Sequence, residues 1–369
     1  MTGARIELRR VTLPLVRPFR TSRAVETARE LLVLRLRADG VDGWAECAAD
    51  PYPAFYGETL DGARSVIETV LAPLLAGADG PLSAARVHGL FREVPGNVLA
   101  RAVVESAVLD AELRRHGMAM VDYLGGERTR IPVGVSVGIP DSMTELIDWV
   151  ADYLGQGYQR VKLKIAPGWD LAPLAAVRRE FGDDLALQVD ANQAYRTSDL
   201  TTLRRLDAFN LVLLEQPFPA ADLLAHANLA RQVATPICLD ESISGLHDAA
   251  AALALGACSV VNIKPARVGG YLEARAIHDL CLAQGVPVFC GGVLESGIGR
   301  AANLALAALP NFTLPGDISA TRRYFDRDLT QFFELRDGAV EVPAGPGSGA
   351  VVDLDTLAEL TTEISIVEI

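Results

Sequence analysis

The fold of this chain is constrained most by a regular alternation of short apolar runs and helix-like segments that begins near Ile131. Strands that alternate with helices form a parallel sheet, and seven or more such units favour a closed barrel. We therefore predict an α/β fold built on a (β/α)7-8 TIM-type barrel. The predicted strands are Pro132–Gly138, Arg160–Ile165, Ala186–Asp190, Leu211–Glu215, Pro236–Asp240, Val260–Lys264 and Val286–Cys290, with helix-like segments such as Leu171–Phe181 and Tyr271–Gln284 between them.

The sequence pattern is different before and after this alternating segment. Residues 1–125 predict an α+β unit, with strands near 4–15 and 31–38 and a helix over Leu99–His116. After about residue 325 a stretch rich in proline and glycine leads to a last strand-like run, Ile364–Val367. We expect an N-terminal domain over residues 1–125, a barrel domain over residues 126–325, and a C-terminal segment over residues 326–369 that returns to the N-terminal domain.

Composition and charge argue against several kinds of partner. The chain has 34 basic and 47 acidic residues, and its net charge of −13 repels phosphate backbones and anionic lipid surfaces. We expect no nucleic-acid partner, and no membrane partner because a run of about 18 apolar residues is missing. A signal peptide and CxxC spacing are missing too, which predicts a cytoplasmic protein with five reduced cysteines. The sequence leaves the oligomeric state open, and a homo-oligomer is our expectation.

Five charged residues stand at the carboxyl ends of five successive predicted strands. They are Lys164, Asp190, Glu215, Asp240 and Lys264, separated by 26, 25, 25 and 24 residues. One βα unit of a barrel takes about that many residues, and barrel active sites lie at the carboxyl ends of the strands. The spacing therefore predicts that the five side chains converge at one mouth of the barrel.

Each of these residues taken alone has a simpler explanation. A Lys-x-Lys sequence such as Lys162–Lys164 fits a solvated strand, and an aspartate at a strand end fits the N-cap of the next helix. Side chains alternate along a strand, so both lysines share one face while Val161, Leu163 and Ile165 share the other. With the aliphatic face under the helices, the lysines point inward, and five such residues in register favour a functional site.

Three converging carboxylates need a cation, and oxygen ligands favour a hard one. We predict Mg²⁺ at Asp190, Glu215 and Asp240, with Mn²⁺ as a possible substitute. Lysine is the expected base, and a nearby divalent cation and second lysine should lower its pKa. Histidine is disfavoured because all five histidines fall in predicted helices or surface loops: His88, His116, His226, His247 and His278.

These residues resemble the lysine-base branch of the enolase superfamily, in which a lysine or histidine base works with Mg²⁺. Longer motifs look like the o-succinylbenzoate synthase / N-succinylamino acid racemase group of that superfamily, also described as N-acylamino acid racemases. The resemblance runs along the whole chain. The motifs are Pro18–Thr21 (PFRT), Gln188–Asn192 (QVDAN), Leu214–Pro217 (LEQP), Leu239–Ser242 (LDES), Asn262–Pro265 (NIKP), Gly291–Arg300 (GGVLESGIGR) and Leu314–Ala320 (LPGDISA).

The resemblance implies an α+β capping domain, built from both termini, that closes over the barrel mouth. It implies that Asp190, Glu215 and Asp240 hold Mg²⁺, which binds the carboxylate of a small-molecule substrate and stabilises an enediolate. Lys164 and Lys264 would be the catalytic residues on opposite faces of the α-carbon. The residues that it places around the substrate are Ser136, Lys162, Asn192, Gly292, Val293 and Leu294.

Several further positions are candidates for the same site. The Gly291-Gly292 pair would leave room for a succinyl arm or would simply form a strand-end turn. Arg267 would depress the pKa of Lys264 or would be a solvated residue at a helix start. Tyr52 and Tyr56 lie in a loop, Asp50–Gly57, that resembles a lid, although packing at the core or rim is the favoured explanation for both. Tyr324 would line the far end of the pocket.

Two activities fit the implied site. The first is o-succinylbenzoate synthase, a lyase that dehydrates 2-succinyl-6-hydroxy-2,4-cyclohexadiene-1-carboxylate to 2-succinylbenzoate for menaquinone biosynthesis; the alternative is racemisation of N-succinyl or other N-acyl amino acids. A dipeptide epimerase usually has an Asp-x-Asp pair, whereas here Asp317 is followed by Ile318 and Ser319. A muconate-type cycloisomerase fits Gly291–Arg300 less well. A non-catalytic barrel would be expected to have lost a lysine or a ligand.

Overall fold

Four antiparallel strands from the two ends of the chain form the first sheet. The computed structural model describes residues 4–78 and 80–369. β1 (Arg5–Arg20), β2 (Val25–Ala38) and β3 (Val41–Cys47) follow one another as hairpins, and β13 (Thr361–Glu368) pairs with the other side of β1. The order is β13-β1-β2-β3, so the end of the chain lies beside its beginning. The first two strands are longer than predicted, and β3 is an addition to the predicted strands.

The helices of the N-terminal part pack on this sheet. The predicted helix over Leu99–His116 is present as α4, and a Cβ on Gly43 of β3 would lie 2.1 Å from the carbonyl oxygen of Ala107 in it. Glycine is what permits the helix to lie so close to the strand. The helices are α1 (Leu60–Val66), a π-helical turn (Ile67–Leu71), α2 (Ala72–Ala76), α3 (Ala84–Phe91), α4 (Val98–Arg115) and α5 (Met120–Leu124).

Seven parallel strands form the second sheet, in the order β11-β10-β9-β8-β7-β6-β5. A strand is present within each of the seven predicted ranges, but most strands are shorter than predicted. A separate strand, β4 (Arg130–Pro132), ends at the first residue of the first predicted range and pairs with β12 (Ala339–Glu341). The seven strands are β5 (Val135–Val137), β6 (Arg160–Lys164), β7 (Ala186–Asp190), β8 (Leu214–Glu215), β9 (Ile237–Leu239), β10 (Val260–Ile263) and β11 (Val288–Cys290).

Helices surround this sheet and connect its strands. They are α6 (Met143–Gly155), α7 (Leu171–Phe181), α8 (Leu200–Arg205), α9 (Leu223–Ala230), α10 (Leu246–Ala254), α11 (Pro265–Val268), α12 (Tyr271–Ala283) and α13 (Gly297–Ala307), with α14 (Leu354–Leu360) near the end of the chain. Three short 3₁₀ turns lie at Thr197–Asp199, Leu206–Phe209 and Thr321–Arg323.

An irregular segment, residues 312–317, connects the two edges of the curled sheet. Phe312 forms a parallel bridge to Val288 at one edge, and Gly316 forms a parallel bridge to Val133 beside β5 at the other. The backbone N–H of Asp317 also donates to the carbonyl of Cys290, at 2.8 Å. The segment therefore takes the place of an eighth strand, and the seven strands with this segment match the predicted (β/α)7-8 barrel.

Alternation along β6 explains why both of its lysines point inward. Val161, Leu163 and Ile165 are buried in the large apolar core that the helices share with the outer face of the sheet. Lys162 and Lys164 face the other way and are only 2% and 8% exposed. Below them a separate apolar cluster of Leu213, Cys238, Val260 and Phe289 fills the barrel interior, and the Lys162 ammonium lies 5.7 Å from the Phe289 ring centre.

Two glutamates, the half-buried Glu46 and the buried Glu105, join the first sheet and its helices to the barrel. Glu46 on β3 accepts hydrogen bonds from the backbone N–H (3.0 Å) and the hydroxyl of Ser296, the N-cap of α13. Glu105 on α4 accepts from the backbone N–H groups of Tyr271 (3.1 Å) and Leu272 (3.0 Å) at the start of α12. A carboxylate at a helix N-terminus is stabilised by the unpaired N–H groups there, so each contact ties the N-terminal layer to one barrel helix.

The five cysteines are free, buried thiols, as predicted. No helix in the described ranges 4–78 and 80–369 combines the length and the apolar character needed to cross a membrane. The domain boundaries at 125 and 325 stay a prediction.

We expect Glu46→Gln to remove a pH dependence of stability. Burial, together with the charges of Glu295 and Asp328, raises the pKa of Glu46 to about 7. A carboxyl whose pKa is higher in the folded than in the unfolded state stabilises the fold below pH 4.5, and this contribution is lost as the pH rises through 7. Urea unfolding at about pH 5 and pH 8 should show the wild type losing about 2 kcal/mol more than Glu46→Gln.

The glutamine can still accept from the Ser296 N–H and donate to its hydroxyl, so the variant removes the charge and keeps the contact. Glu180→Gln, at an exposed position on α7, is the control and should follow the wild type. An equal pH response in Glu46→Gln and the wild type would show that Glu46 is already neutral or well solvated.

Candidate active site

The sheet order places a lysine on each side of three carboxylates. Lys164 ends β6, Asp190 ends β7, Glu215 ends β8, Asp240 follows β9, and Lys264 follows β10. The register pairs Lys164 with Asp190 and Asp190 with Glu215, so neighbouring side chains reach the same level at the barrel mouth. Because the sheet is curled, these five positions surround one volume, as the spacing of the sequence predicts.

The three carboxylates form a compact, fully buried group. Asp190, Glu215 and Asp240 are at most 1% exposed, and one oxygen from each lies within 4.8 Å of the others. Each is paired with an ammonium group: Lys164 with Asp190 at 2.6 Å, Lys162 with Glu215 at 2.9 Å, and Lys264 with Asp240 at 2.8 Å. These pairs offset part of the repulsion that three buried anions would otherwise suffer.

Polar side chains around the carboxylates fix their orientation. The amide groups of Gln188 and Asn262 donate to the two oxygens of Glu215, at 2.9 and 2.8 Å. The backbone N–H of Asn192 donates to Asp190 at 2.9 Å, and Gln216 accepts from the backbone N–H of Asp240 at 2.9 Å. Asn192 and Gln216 hold left-handed backbone conformations, φ +42° and +38°, which non-glycine residues adopt at a cost and which often mark functional sites.

The donor set of this group fits Mg²⁺. Three monodentate carboxylate oxygens are hard ligands of the kind that Mg²⁺ takes from proteins, and water and substrate oxygens can complete its octahedron. The five histidines all lie in helices or just after one, and none of these described residues lines the mouth. The buried group of Asp190, Glu215 and Asp240 can therefore hold a divalent cation.

Arg267 is buried, so the alternative of a solvated arginine at a helix start is wrong. Its guanidinium is 1% exposed and donates to Asp240, to the carbonyl of Asn262 and to that of Ile243. An effect of Arg267 on the pKa of Lys264 stays a prediction. Burial lowers the pKa of Arg267 itself.

The pKa of Lys264 also differs from the expectation. Burial lowers its pKa, but the charges of Tyr56, Glu241, Glu215 and Asp190 outweigh that effect and raise the pKa above its usual range. The pKa of Lys162 is raised in the same way by Asp317, Glu215 and Asp190. The lowered lysine pKa predicted from the sequence requires a cation that offsets these anions.

A cleft opens above the carboxylates, between the barrel mouth and the first sheet. All eight predicted catalytic and substrate-binding residues line it: Ser136, Lys162, Lys164, Asn192, Lys264, Gly292, Val293 and Leu294. The first sheet and the loops beside it supply the opposite wall, including Phe19, Arg29 and Tyr56. The structure thus brings the predicted residues together in one enclosed volume, which is where substrate sites commonly form.

The further candidate residues named from the sequence differ in whether they line the cleft. Tyr56 and Tyr324 line the cleft, whereas Tyr52 is 51% exposed and lies outside it. A Cβ on Gly291 would lie 2.2 Å from Asn262 Oδ1 and 2.6 Å from Lys264 Cε. The absence of a side chain at Gly291 therefore makes room for Lys264, while Gly292 borders the cleft.

Two buried acids at the mouth are additions to the predicted site. Asp317 pairs with Arg160 at 2.7 Å and with Lys162; these cations hold its pKa below the usual range although burial raises it. Glu241, next to Asp240, is 6% exposed and lines the cleft; burial and then the charge of Asp190 raise its pKa. The motifs LPGDISA and LDES contain both residues, but a pattern of strand ends alone does not predict them.

Comparisons with known proteins agree with this fold and site. Residues 5–125 match the family described as "Mandelate racemase / muconate lactonizing enzyme, N-terminal domain", and residues 145–356 match "Enolase C-terminal domain-like". A solved structure of an enolase superfamily member from Listeria innocua has a TM-score of 0.93 at 39% identity and covers 99% of this chain and 98% of that one. The chain is an enzyme of the enolase superfamily.

Within the superfamily, two similar proteins have different names. An N-succinylamino acid racemase from an Amycolatopsis species is 52% identical over 357 residues, which are 97% of each chain. An o-succinylbenzoate synthase from Geobacillus kaustophilus is 43% identical over 349 residues, covering 94% of this chain and 92% of that one. The chain is thus similar, over nearly its full length, to enzymes with a lyase name and enzymes with a racemase name.

We expect Asp240→Asn to abolish stabilisation of the protein by Mg²⁺ or Mn²⁺. A cation that binds the folded state stabilises it by an amount that grows with the logarithm of its concentration over Kd, so the melting temperature of the wild type should rise with added metal. Losing one of three carboxylate ligands should remove most of that rise, because the amide is a weaker ligand without charge. Differential scanning fluorimetry with a metal titration measures the effect without reference to activity.

The change in melting temperature on adding metal is the quantity to compare, because Asp240→Asn also deprives Arg267 of its carboxylate and lowers the starting value. Asp328→Asn is the matched control, since Asp328 is a buried carboxylate (5% exposed) that bonds the backbone N–H of Gly297. A full metal response in Asp240→Asn would rule out the proposed ligand group.

Proposed function

We propose that this enzyme removes a proton next to a substrate carboxylate with Mg²⁺ held by Asp190, Glu215 and Asp240. Its proposed activity is that of o-succinylbenzoate synthase, and its proposed second activity is racemisation of N-succinyl amino acids. The observation that carries the proposal is the position of Lys164 and Lys264, on the two sides of the carboxylate group and in the wall of one cleft. A base on each side of the α-carbon suits both reactions.

The chain's own residues perform the proton transfers. Bound Mg²⁺ supplies positive charge that offsets the three carboxylates, favours the neutral form of a nearby lysine and stabilises negative charge on the substrate carboxylate. Lys164 Nζ, which lies 2.6 Å from Asp190, takes the α-proton. The enclosing cleft excludes bulk water, which strengthens these charge interactions and keeps solvent from supplying the proton.

The two reactions then differ in the fate of that proton. In dehydration Lys164 returns it to the departing hydroxyl group, so that water leaves and the ring becomes aromatic. In racemisation Lys264 donates a proton to the α-carbon from the other side, and the roles reverse for the opposite enantiomer. Lys264 is 2.8 Å from Asp240, whose carboxylate favours the charged form that this donation requires.

The cleft wall supports a substrate with a polar arm. Ser136, Lys162 and Asn192 supply polar groups, and Gly292, Val293 and Leu294 supply a small or apolar surface along the same cleft. Leu294 holds a left-handed backbone, φ +57°, which is rare for a bulky residue and suggests that its position is set by function. We propose that these six residues bind the substrate.

The racemase activity has specific support of its own. The relative that is 52% identical to this chain is named for racemisation, and a synthase needs one base whereas two lysines are present. A dipeptide epimerase is disfavoured, because Asp317 is neutralised by Arg160 and Lys162, and Ser319 donates to the carbonyl of Gly134. The described part of the site therefore offers no second free carboxylate at 317–319 for an ammonium group.

The first test is a direct assay of both reactions with one purified sample. We expect dehydration to 2-succinylbenzoate, followed by the change in ultraviolet absorbance, and racemisation of N-succinyl amino acids, followed by polarimetry. Both should disappear with a chelator and return with Mg²⁺ or Mn²⁺. Efficient epimerisation of a dipeptide in the absence of both reactions would contradict the proposed substrate class.

The second test separates the lysines. Lys164→Ala should abolish dehydration and racemisation. Lys264→Ala should abolish racemisation but allow exchange of the α-proton with solvent deuterium for the one enantiomer whose proton faces Lys164. Loss of a positioned acid–base group costs about 10²–10⁴-fold, so proton NMR in deuterated water can resolve the difference.

Melting curves of both lysine variants show whether the fold survives, and Arg179→Ala, at an exposed position on α7, is the control that keeps both bases. Equal exchange of both enantiomers by Lys264→Ala would rule out lysines on opposite sides of the α-carbon. That result would leave the metal group unaffected.

A further inference from the structure

Two acceptor oxygens beside the carboxylate group have no protein partner. Glu241 Oε1 accepts from the Asn192 amide at 3.2 Å, whereas Glu241 Oε2 bonds nothing in residues 4–78 and 80–369. Asn192 Oδ1 is likewise unpaired within those ranges. The two side chains are 6% and 3% exposed, and both line the cleft.

Such atoms are costly unless a donor reaches them. A buried acceptor without a hydrogen bond costs roughly 1–3 kcal/mol, and a buried carboxylate costs more. Native proteins satisfy nearly all such atoms, so a pair of unpaired acceptors in one place indicates that a donor binds there.

The surrounding contacts restrict what this donor can be. Asn192 lies between the two acids: its backbone N–H bonds Asp190 Oδ1, and its side chain bonds Glu241. The nearby ammonium groups bond other acids: Lys164 bonds Asp190 and Lys264 bonds Asp240. The free acceptors therefore border the carboxylate group on the side of Asp190, and no donor in residues 4–78 and 80–369 reaches them.

A water ligand of the cation is the donor that fits this position. Mg²⁺ prefers six oxygen ligands and keeps several waters, and three carboxylates leave positions for water and substrate. A water on a divalent cation is a strong hydrogen-bond donor with two protons, which matches two adjacent acceptors.

We propose that Glu241 and Asn192 form a water site of the metal centre, in which Glu241 Oε2 and Asn192 Oδ1 accept hydrogen bonds from a water ligand of the cation. The inference rests on the proposed function, because it assumes the cation at Asp190, Glu215 and Asp240. Glu241 acts as a positioning residue that tightens cation binding from outside the ligand group. Without the cation, its charge lies close to Asp190 and opposes folding.

This assignment predicts opposite effects of Glu241→Gln on stability and on metal binding. The amide can still accept from Asn192, but it presents a donor in place of Oε2 and carries no charge. The metal-free variant should melt at the same temperature as the wild type or higher. Its Kd for Mn²⁺ should be weaker by about 10–100-fold, which is the usual effect of losing a group that orients a metal ligand.

The experiment is a Mn²⁺ titration followed by calorimetry and by water-proton relaxation, which reports water bound to the cation. Glu46→Gln is the matched control, because it also neutralises a half-buried glutamate beside another acid but lies away from the carboxylate group. Asn192→Ala, which removes the second acceptor, should weaken Mn²⁺ binding in the same direction and change the relaxation of bound water.

The outcomes separate this inference from the proposed function. No Mn²⁺ binding by the wild type would overturn the proposed metal group itself. Wild-type binding with an unchanged Kd in Glu241→Gln would overturn the water site alone, and a raised KM for N-succinyl amino acids in that variant would assign the oxygen to a substrate N–H. A lower melting temperature of metal-free Glu241→Gln, with weaker binding, would reduce Glu241 to a structural role.

Discussion

The structure depends on a balance of buried charge at the mouth of the barrel. Five acids meet five bases there, and the ten side chains are all at least largely buried. The acids are Asp190, Glu215, Asp240, Glu241 and Asp317, and the bases are Arg160, Lys162, Lys164, Lys264 and Arg267. Burying an unpaired ion costs several kcal/mol, and nine of the ten groups have a partner of opposite sign, whereas Glu241 bonds the Asn192 amide. A divalent cation would add two positive charges to this group.

The three lysines at the barrel mouth differ in the number of carboxylates that they contact. Lys162 is held by Glu215, Asp190 and Asp317, and is the most enclosed of the three. Lys164 and Lys264 each have one close carboxylate and border the cleft. A lysine that gains and loses a proton needs weaker ion pairs than a lysine that only balances the charge of its neighbours. The geometry therefore suits Lys162 to a fixed charge and the other two to proton transfer.

The cleft exists because two parts of the chain meet over the barrel. The barrel mouth alone would be open to solvent, where charge interactions are weak. The first sheet, completed by β13 from the end of the chain, supplies Phe19, Arg29 and Tyr56 as the second wall. Glu46 and Glu105 join this layer to α13 and α12, so the contacts that close the cleft are themselves polar ones. Relatives with lyase and racemase names are similar to this chain in sequence over nearly its whole length.

The amino-acid sequence by itself determined the barrel and the central group of the site. Alternation along a strand and the length of a βα unit are local properties, so they predict seven strands and the convergence of Lys164, Asp190, Glu215, Asp240 and Lys264. The strand ends were predicted less well, because hydrogen bonds with neighbouring strands decide where pairing stops. For this reason the strand predicted over Leu211–Glu215 is present only at Leu214–Glu215.

Only the tertiary structure decided how the remaining charges are used. Arg267 bonds Asp240, Asp317 bonds Arg160 and Lys162, and Glu241 keeps one oxygen free beside Asn192. These contacts join residues from different strands and loops, and the hydrophobic pattern of a segment does not specify its polar partners across the barrel. The same holds for the cap, where Tyr56 reaches the cleft and Tyr52 does not, since the path of an irregular loop follows from packing over the whole chain and not from its own sequence.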